Sequence, residues 1–265
     1  MKLLSTARSG RSIAPAFLSG LVIAAACSSF GDARAQGAQL ATQLPDYQAI
    51  VAAPDRNDAD RKTDQRRKPA QMLQFAGVKP GMKVLDIGAG GGYSTELLAR
   101  AVGPTGVVYA QDAPDSNERA LAAFAARAKG PAMKNVVRVL RSYDDPLPAE
   151  VSGLDLITYF FEYHEAPNMN LDRAKMDRRL FELLKPGGIL VVADHSTRPG
   201  EGTGATRTMH RIDEAVVLQD FEKVGFRLAA QGDFLRSPED KRDVIVFKSP
   251  VPVDEFVLKF EKPRQ

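Results

Sequence analysis

The chain has 265 residues and one cysteine, and its 36 basic residues oppose 33 acidic ones. Residues 1–35 contain four of the basic residues and one of the acidic ones, so residues 36–265 carry 32 of each sign. This neutral remainder excludes the broad basic surface of a nucleic-acid-binding protein, and we expect no nucleic-acid partner. A single cysteine also excludes a disulfide framework.

Residues 1–35 have the pattern of a secretory signal peptide. A basic start precedes a mostly apolar stretch, 14–29, which is too short for a stop-transfer helix. Ala33-Arg34-Ala35 is an A-x-A cleavage site directly before Gln36. We therefore expect a periplasmic or secreted protein that begins at Gln36 and has no transmembrane helix after cleavage.

Two other interpretations of the N-terminus stay open. Ala24-Ala-Ala-Cys27 is a partial lipobox that lacks the usual leucine three residues before the cysteine. Cleavage there would leave a protein anchored by lipid on Cys27, which we favour less. The same apolar stretch could instead be a buried N-terminal helix. Cleavage after Ala35 would remove the only thiol, which suits an oxidising compartment.

The remaining chain divides into a lead-in, 36–80, and one domain, 81–265, that is long enough to bury a single core. The lead-in contains a densely charged segment of mixed sign, 54–69. This segment is either a solvated helix with ion pairs at helical spacing or a cap over a ligand cleft.

The segment from Lys83 to Val102 predicts a strand, a glycine loop and a helix. Val84, Leu85 and Ile87 suit a short buried strand, and four glycines follow within 88–92. A helix then continues to Gly103. Such a loop brings backbone N–H groups and a helix N-terminus close to a ligand, because no Cβ stands in the way.

The loop does not match a dinucleotide fingerprint. Gly88 and Gly90 fit the pattern G-x-G-x-x-G/A, but Tyr93 in the third position is too large for close packing of helix on strand. Asp86 precedes the first glycine by two residues, where it would repel a pyrophosphate but could attract an amine-bearing ligand. A glycine turn in another doubly wound fold is the alternative.

The stretch Val-Leu-Asp-Ile-Gly-Ala-Gly-Gly-Gly resembles the first motif of class I S-adenosylmethionine (SAM) methyltransferases. The resemblance implies an α/β, Rossmann-like fold with a seven-stranded, mostly parallel sheet, helices on both faces and a final antiparallel strand. It also implies SAM as the cofactor, with the loop holding the amino acid part. The residues implied for cofactor binding here are Asp86, Gly88, Ala89, Gly90 and Gly92.

Strands alternate with helices through the rest of the chain, which predicts a mostly parallel sheet. Further strands are predicted at 106–111, 135–141, 153–160, 189–193, 226–235 and 255–260, with 244–247 as a competitor for the last. Helices are predicted at 116–129 with Ser116 as the N-cap, at 171–184 and from Asp213 to Val224. A turn at 185–188, Lys-Pro-Gly-Gly, separates the second of these helices from its strand, as in methyltransferases.

Two acidic residues follow strands at places where a nucleoside would lie. Asp112 ends the second strand, 24 residues after Gly88, where a carboxylate can accept hydrogen bonds from both ribose hydroxyls. Asp144 follows the third strand, and the methyltransferase resemblance implies that it binds the adenine amine.

All three histidines lie in segments that suit an active site. His164, followed by Glu165, comes just after the fourth predicted strand, and His195 just after the fifth. Carboxyl ends of neighbouring parallel strands meet at one edge of the sheet, so the two imidazoles are expected to face one cleft. His210 lies before a predicted helix. We expect His164 to be the general base, with Glu165, His195 and His210 also in the catalytic site.

The histidine motifs, together with the glycine loop, resemble a group of exported bacterial methyltransferases over roughly 54–263. The expected function is SAM-dependent methyl transfer to a small-molecule acceptor in the periplasm. Zinc or a similar ion bound by the histidines with Glu165 or Asp194 is a rival prediction, although the spacing matches no compact metal motif. The alternative function is an exported binding protein on the same fold, with such a metal site and no methyl transfer.

Overall fold

The computed structural model describes residues 44–169 and 171–264. The predicted signal peptide lies outside these residues. The helices are α1 Tyr47–Val51, α2 Asp58–Arg67, α3 Pro69–Ala76, α4 Tyr93–Val102, α5 Glu118–Arg127, α6 Arg173–Leu183, α7 Thr206–Met209 and α8 Glu214–Lys223. The strands are β1 Lys83–Ile87, β2 Val107–Asp112, β3 Val136–Leu140, β4 Leu154–Phe160, β5 Leu184–His195, β6 Arg227–Gly232 and β7 Glu255–Glu261.

The seven strands form one sheet in the order β3-β2-β1-β4-β5-β7-β6. The first five pair in parallel, and β7 runs antiparallel to both β5 and β6. This confirms the predicted fold class. It also confirms 255–260 as the last strand, because the competing segment forms a 3-10 turn at Val246–Lys248.

The chain order reverses at the centre of the sheet, because β1 lies between β2 and β4. In open α/β sheets a ligand binds at such a switch point, outside the carboxyl ends of the strands. The ends of β1, β2 and β4 carry the glycine loop, Asp112 and the segment of His164, respectively. The fold therefore gathers the predicted cofactor and catalytic residues at one edge.

The sheet is buried on both faces, as a parallel sheet requires. One face packs under α6 and α8, with fully buried Tyr159, Phe221 and Phe260 in its core. The other face packs under α3 and α4, with Val84 and Val191 at 0% exposure. Strands that are buried on both faces appear in the sequence as continuous apolar runs. For this reason most of them could be predicted from the sequence.

Two local predictions were wrong. The N-cap of α5 is Asn117, whose side chain accepts hydrogen bonds from the next turn, and not Ser116. Residues 185–188 are not a separate turn but the start of β5, where the pairing with β4 shifts between Leu154 and Leu156. Gly187, with φ +75°, supplies the left-handed residue of this irregularity. The proline and glycines that suggested a turn instead produce a bulge.

Within the described residues, no helix combines the length and hydrophobicity needed to cross a membrane.

Candidate active site

The glycine loop bends back over the end of β1 in a conformation that side chains disfavour. Gly88, Gly90 and Gly92 have φ of +66°, +52° and +82°. A Cβ on Gly88 would lie 2.7 Å from Cγ of Glu162. Ala89, the one loop residue with a side chain between the glycines, is buried and donates its N–H to the Gln111 carbonyl. The Glu162 side chain therefore packs on the face of Gly88 that the missing Cβ leaves free.

Asp86 lies beneath this loop and holds it in place. Its carboxylate accepts hydrogen bonds from the hydroxyls of Ser94, Thr95 and Thr158 at 2.9, 2.6 and 2.8 Å. Burial raises the pKa of Asp86, and the three hydroxyl hydrogen bonds oppose that rise. Its direct contact with a cofactor stays a prediction. The observed contacts fix the start of α4 against β1 and β4.

Asp112 ends β2 with one carboxylate oxygen hydrogen-bonded and the other beside a cation. Oδ1 accepts the N–H of Gly90 at 3.0 Å. Oδ2 is buried and lies 2.7 Å from a guanidinium nitrogen of Arg138, but without the alignment of a hydrogen bond. Burial raises the pKa of Asp112, while the Gly90 N–H and the Arg138 charge lower it. A ribose hydroxyl of SAM would take the place of Arg138 at this oxygen, which accepts no hydrogen bond within the described residues.

A cleft of about 650 Å³ opens beside Asp112, between the ends of β2, β3 and β4. We call it the cofactor cleft, and its volume suits a nucleoside. Its lining consists of residues 113–117, Ser142, Tyr143, Glu162, Glu165, Asn168, Met169 and Leu171. Asp144 is not in this lining. Its carboxylate bonds Lys175 and the Ser142 hydroxyl, so its adenine contact stays a prediction that these contacts do not support.

Three predicted catalytic side chains meet in one cluster, which we call the histidine cluster: His164, Glu165 and His210. Nε2 of His164 lies 3.0 Å from Oε1 of Glu165 and 3.3 Å from Nδ1 of His210. The Glu165 oxygen lies 2.5 Å from the same His210 nitrogen. On the other side of His164, Nδ1 bonds Oδ1 of Asp194 at 2.7 Å.

Both ring nitrogens of His164 thus face carboxylates. Burial alone would lower the pKa of His164, but the charges and hydrogen bonds of Asp194 and Glu165 outweigh it and raise the pKa to about 10. The hydrogen bond from His164 in turn lowers the pKa of Glu165 to about 2. As long as no cation lies at Nε2, the two carboxylates therefore favour the doubly protonated ring, which has no lone pair to accept a proton from an acceptor. The predicted role of His164 as general base does not suit this environment.

His195 lies beside the cluster, with its ring centroid 5.5 Å from that of His164. Its Nδ1 is 3.1 Å from a carboxylate oxygen of Glu255, which also pairs with Arg66 of α2. The expectation that His164 and His195 face one cleft agrees with this placement. His210 joins them from the loop after α7, which no sequence periodicity had indicated.

Glu162 is a functional candidate that the sequence reasoning missed. It follows β4 by two residues, and its side chain lies over Gly88 and accepts a hydrogen bond from the Tyr143 hydroxyl at 3.1 Å. Burial raises the pKa of Glu162 to about 7. The available signal was its position, because an acid just past a strand end at the switch point is placed to meet a ligand.

A second cavity, of about 400 Å³, adjoins the cofactor cleft, and we call it the histidine pocket. Its lining includes Arg66, Arg67, Phe161, Val246, Phe247 and Val253 together with the three histidines, Glu162 and Glu165. Glu162 and Glu165 line both cavities. These two carboxylates therefore lie at the boundary between the cofactor cleft, which is on the nucleoside side, and the histidine pocket.

Two strained residues frame the histidine pocket. Phe161 and His210 have φ of +61° and +53°, in the left-handed region that bulky residues rarely adopt. The Phe161 N–H donates to the Ala193 carbonyl at 2.6 Å, which turns the chain sharply at the end of β4. Non-glycine residues held this way cluster at functional sites. Here the two turns aim Glu162 and the His210 ring at the pocket.

The charged segment of the lead-in packs on this site instead of pairing along its own helix. Asp60 of α2 receives both terminal nitrogens of Arg127, and Asp64 receives Arg56 and the Tyr93 hydroxyl. Arg67 stacks on Phe161, 3.9 Å from the ring centroid. Burial lowers the pKa of Arg67 to about 10, so it stays charged at neutral pH. The segment thus covers the glycine loop and supplies a cation to the histidine pocket.

The hydrogen bond from Tyr93 to Asp64, 2.7 Å long, gives a test of this packing. Tyr93→Phe should lower the free energy of unfolding by about 1.5 kcal/mol, the lower end for hydrogen bonds to charged groups, because Asp64 keeps Arg56. Urea denaturation measures it. Tyr109→Phe is the matched control, since no hydrogen bond involves its hydroxyl within the described residues, and should change stability by less than about 0.5 kcal/mol. Equal effects of the two substitutions would contradict the packing role.

The chain matches known proteins in sequence and in structure. Residues 78–224, more than half of the chain, match a family model described as a methyltransferase domain. The ubiquinone/menaquinone biosynthesis C-methyltransferase UbiE of Shewanella pealeana is 33% identical over 161 residues, 61% of this chain and 59% of that protein. The corresponding protein of Ectopseudomonas mendocina is 31% identical over 128 residues, 48% and 47% of the two chains. The chain thus spans about half of the length of these relatives.

Solved structures agree with the fold. A SAM-dependent methyltransferase from Aquifex aeolicus superposes with a TM-score of 0.54 at 23% identity, covering 77% of this chain and 97% of that one. The [4+2]-cyclase SpnF superposes with a TM-score of 0.57 at 15% identity, covering 80% and 86%. Because a cyclase shares the fold, the fold alone does not define the reaction. The family model covers more than half of the chain, so the chain belongs to the methyltransferase domain family, with the class I fold and with SAM as the cofactor of the family.

Proposed function

We propose that this protein transfers the methyl group of SAM to a small polar acceptor that binds in the histidine pocket, and that it works in the periplasm after export. The observation that carries the proposal is the junction of the two cavities. Glu162 and Glu165 line both the cofactor cleft and the histidine pocket. The two cavities are therefore neighbours with these two side chains between them, which would place an acceptor in one next to a cofactor in the other.

Residues next to the cofactor cleft suit SAM at both ends, although Asp112, Gly88 and Gly90 are not part of its lining. The Asp112 carboxylate would accept the ribose hydroxyls, and the backbone of Gly88 and Gly90 would lie under the amino acid part. SAM supplies a methyl group on a sulfonium, ready for transfer. The chain has to bring the acceptor in line with that group, hold it there and exclude water. Arg67, half-buried against Phe161, helps to close the pocket from the side of α2.

We assign the acceptor's proton to Glu162. The acceptor atom forms a bond to the methyl carbon as the bond from carbon to sulfur breaks, and its proton passes to the carboxylate of Glu162. This side chain lies over Gly88 and lines both cavities, so it is near the place where the two ligands meet. His164, with both ring nitrogens engaged, orients this end of the pocket instead.

The proposal is tested with SAM labelled on the methyl carbon and a small-molecule extract of the periplasm. The purified protein should move label from SAM into one extract component. Labelled product in the presence of the protein supports methyl transfer. Binding of SAM with no product from periplasmic or cytoplasmic extracts would favour the alternative, a binding protein on the methyltransferase fold.

Export is tested separately, by N-terminal sequencing of the protein from the periplasmic fraction. The basic start, the short apolar stretch and the Ala33-Arg34-Ala35 site predict that the protein begins at Gln36. A protein that begins at a lipid-modified Cys27 would show that the lipobox is used. A protein that keeps Met1 and stays in the cytoplasm would contradict export.

A further inference from the structure

We propose that His164, Glu165 and His210 bind a divalent first-row transition metal at the junction of the two cavities. One ligand atom from each residue, Nε2, Oε1 and Nδ1 respectively, lies within 4.8 Å of the other two. Two imidazoles and one carboxylate form a donor set that zinc and its neighbours favour, and three protein ligands leave further positions open. The proposed function needs such an opening, because the acceptor enters this pocket.

The distances between the ligand atoms suit a shared ion. With bonds of about 2.0–2.1 Å, two ligands of a tetrahedral metal are about 3.3 Å apart. The two imidazole nitrogens are 3.3 Å apart, and Nε2 of His164 is 3.0 Å from the Glu165 oxygen. The contact of 2.5 Å between Glu165 and His210 is a hydrogen bond, which would lengthen when an ion replaces the shared proton.

The surroundings of His164 are those of a metal ligand. Its Nδ1 bonds Asp194, whose side chain is 0% exposed and also accepts the backbone N–H groups of His164 and His195. A carboxylate behind an imidazole fixes the tautomer and turns the other nitrogen toward the ion, and such partners support metal affinity. Asp194 therefore holds Nε2 toward Glu165 and His210. The cluster also carries the negative charge that a divalent ion requires.

The position suggests what the ion does. An acceptor in the histidine pocket would bind it through an oxygen, and coordination lowers the pKa of a bound hydroxyl. The acceptor class that we infer is a small molecule with a hydroxyl group, which loses its proton to Glu162 and receives the methyl group on oxygen. This part of the inference rests on the proposed function. The metal site itself does not.

Metal binding is measured without cofactor or acceptor. The purified chain is stripped with a chelator and titrated with Zn²⁺ in competition with a chromophoric chelator, and Co²⁺ is added to a second sample. The wild type should bind one Zn²⁺ and show the visible absorption of coordinated Co²⁺. His210→Ala and Glu165→Gln should each weaken binding by more than about 100-fold, since a lost ligand costs more than the 10- to 100-fold of a supporting residue.

Glu118→Gln is the control for loss of a negative charge, because this exposed carboxylate of α5 lies outside the cluster and lines neither cavity. It should bind Zn²⁺ as the wild type does. Circular dichroism establishes that each variant folds. If His210→Ala does not fold, Glu165→Gln still tests the loss of a metal ligand. Wild-type protein that binds no Zn²⁺, or binds it no tighter than Glu165→Gln, would overturn the metal site. If the protein binds one Zn²⁺ but transfers no labelled methyl group from SAM, the metal site stands and the proposed function is contradicted.

Discussion

Replacing Asp112 by alanine is expected to weaken binding of SAM and S-adenosylhomocysteine by about 10²- to 10⁴-fold. The variant loses two charge-assisted hydrogen bonds to the ribose, together about 3–6 kcal/mol, and each 1.4 kcal/mol is about tenfold in Kd. Oδ2 of Asp112 accepts no hydrogen bond within the described structure and lies beside Arg138, whose place a ribose hydroxyl would take. Isothermal titration calorimetry with S-adenosylhomocysteine measures the loss.

Asp115→Ala is the matched control for Asp112→Ala. Asp115 lines the same cleft and is exposed, so its removal should change the Kd by less than about threefold, as for a surface contact. Because Asp112 also balances the nearby Arg138, thermal unfolding has to show that Asp112→Ala is folded at the temperature of the titration. A folded Asp112→Ala protein that binds like the wild type would remove Asp112 from the cofactor site.

Replacing Glu162 by glutamine is expected to lower methyl transfer by about 10²- to 10⁴-fold, the usual contribution of a general base. Glutamine keeps the size of the side chain and can still accept the hydrogen bond from Tyr143, but it cannot take a proton. The rate of label transfer from SAM into the periplasmic extract measures the loss. Affinity for S-adenosylhomocysteine should stay within about threefold, because an effect on turnover alone marks a group used in the transition state.

Two further variants separate the loss of the Glu162 carboxylate from the loss of its hydrogen bond and from the loss of a negative charge. Tyr143→Phe removes the hydrogen bond on Glu162 but not the carboxylate, so it should lower turnover far less than Glu162→Gln does. Glu118→Gln, on exposed α5, controls for loss of a negative charge and should leave turnover unchanged. Label transfer by Glu162→Gln at the wild-type rate would mean that another group takes the proton, or that the acceptor has none to lose.

The sheet and the cofactor loop were predictable because their signals are local. A buried parallel strand reads as an apolar run, and the glycines of 88–92 mark a loop whose φ angles only glycine tolerates well. Asp112 was predicted as a cofactor residue from its spacing after Gly88, and it lies at the end of β2. The sequence did not predict the N-cap at Asn117 or the bulge at 185–188. Polar residues and glycines indicate that the regular backbone is interrupted, but they do not show the form of the interruption or its exact position.

The acceptor side was only partly predictable, since its residues meet through long-range packing. The sequence placed His164 and His195 at strand ends and named Glu165, His210 and Asp194 as candidates beside them, but it did not show which of these side chains touch. Asp194 changes the chemistry of His164 by facing Nδ1, and His210 arrives from a loop 46 residues away in sequence. The strained turn at Phe161 places Glu162 at the pocket, and no residue pattern in the sequence predicts this turn. The protonation state of a side chain depends on the charged and hydrogen-bonding groups around it. Only the fold shows which groups those are.

A crystal structure of the protein with S-adenosylhomocysteine tests the central claim most directly. The account predicts that the ribose lies on Asp112, that the amino acid part lies on Gly88 and Gly90, and that the sulfur faces Glu162 with the histidine pocket open beyond it. The opposite result is a ligand outside the cofactor cleft, or a sulfur turned away from Glu162 with the histidine pocket closed off. Either arrangement would contradict methyl transfer to an acceptor in that pocket.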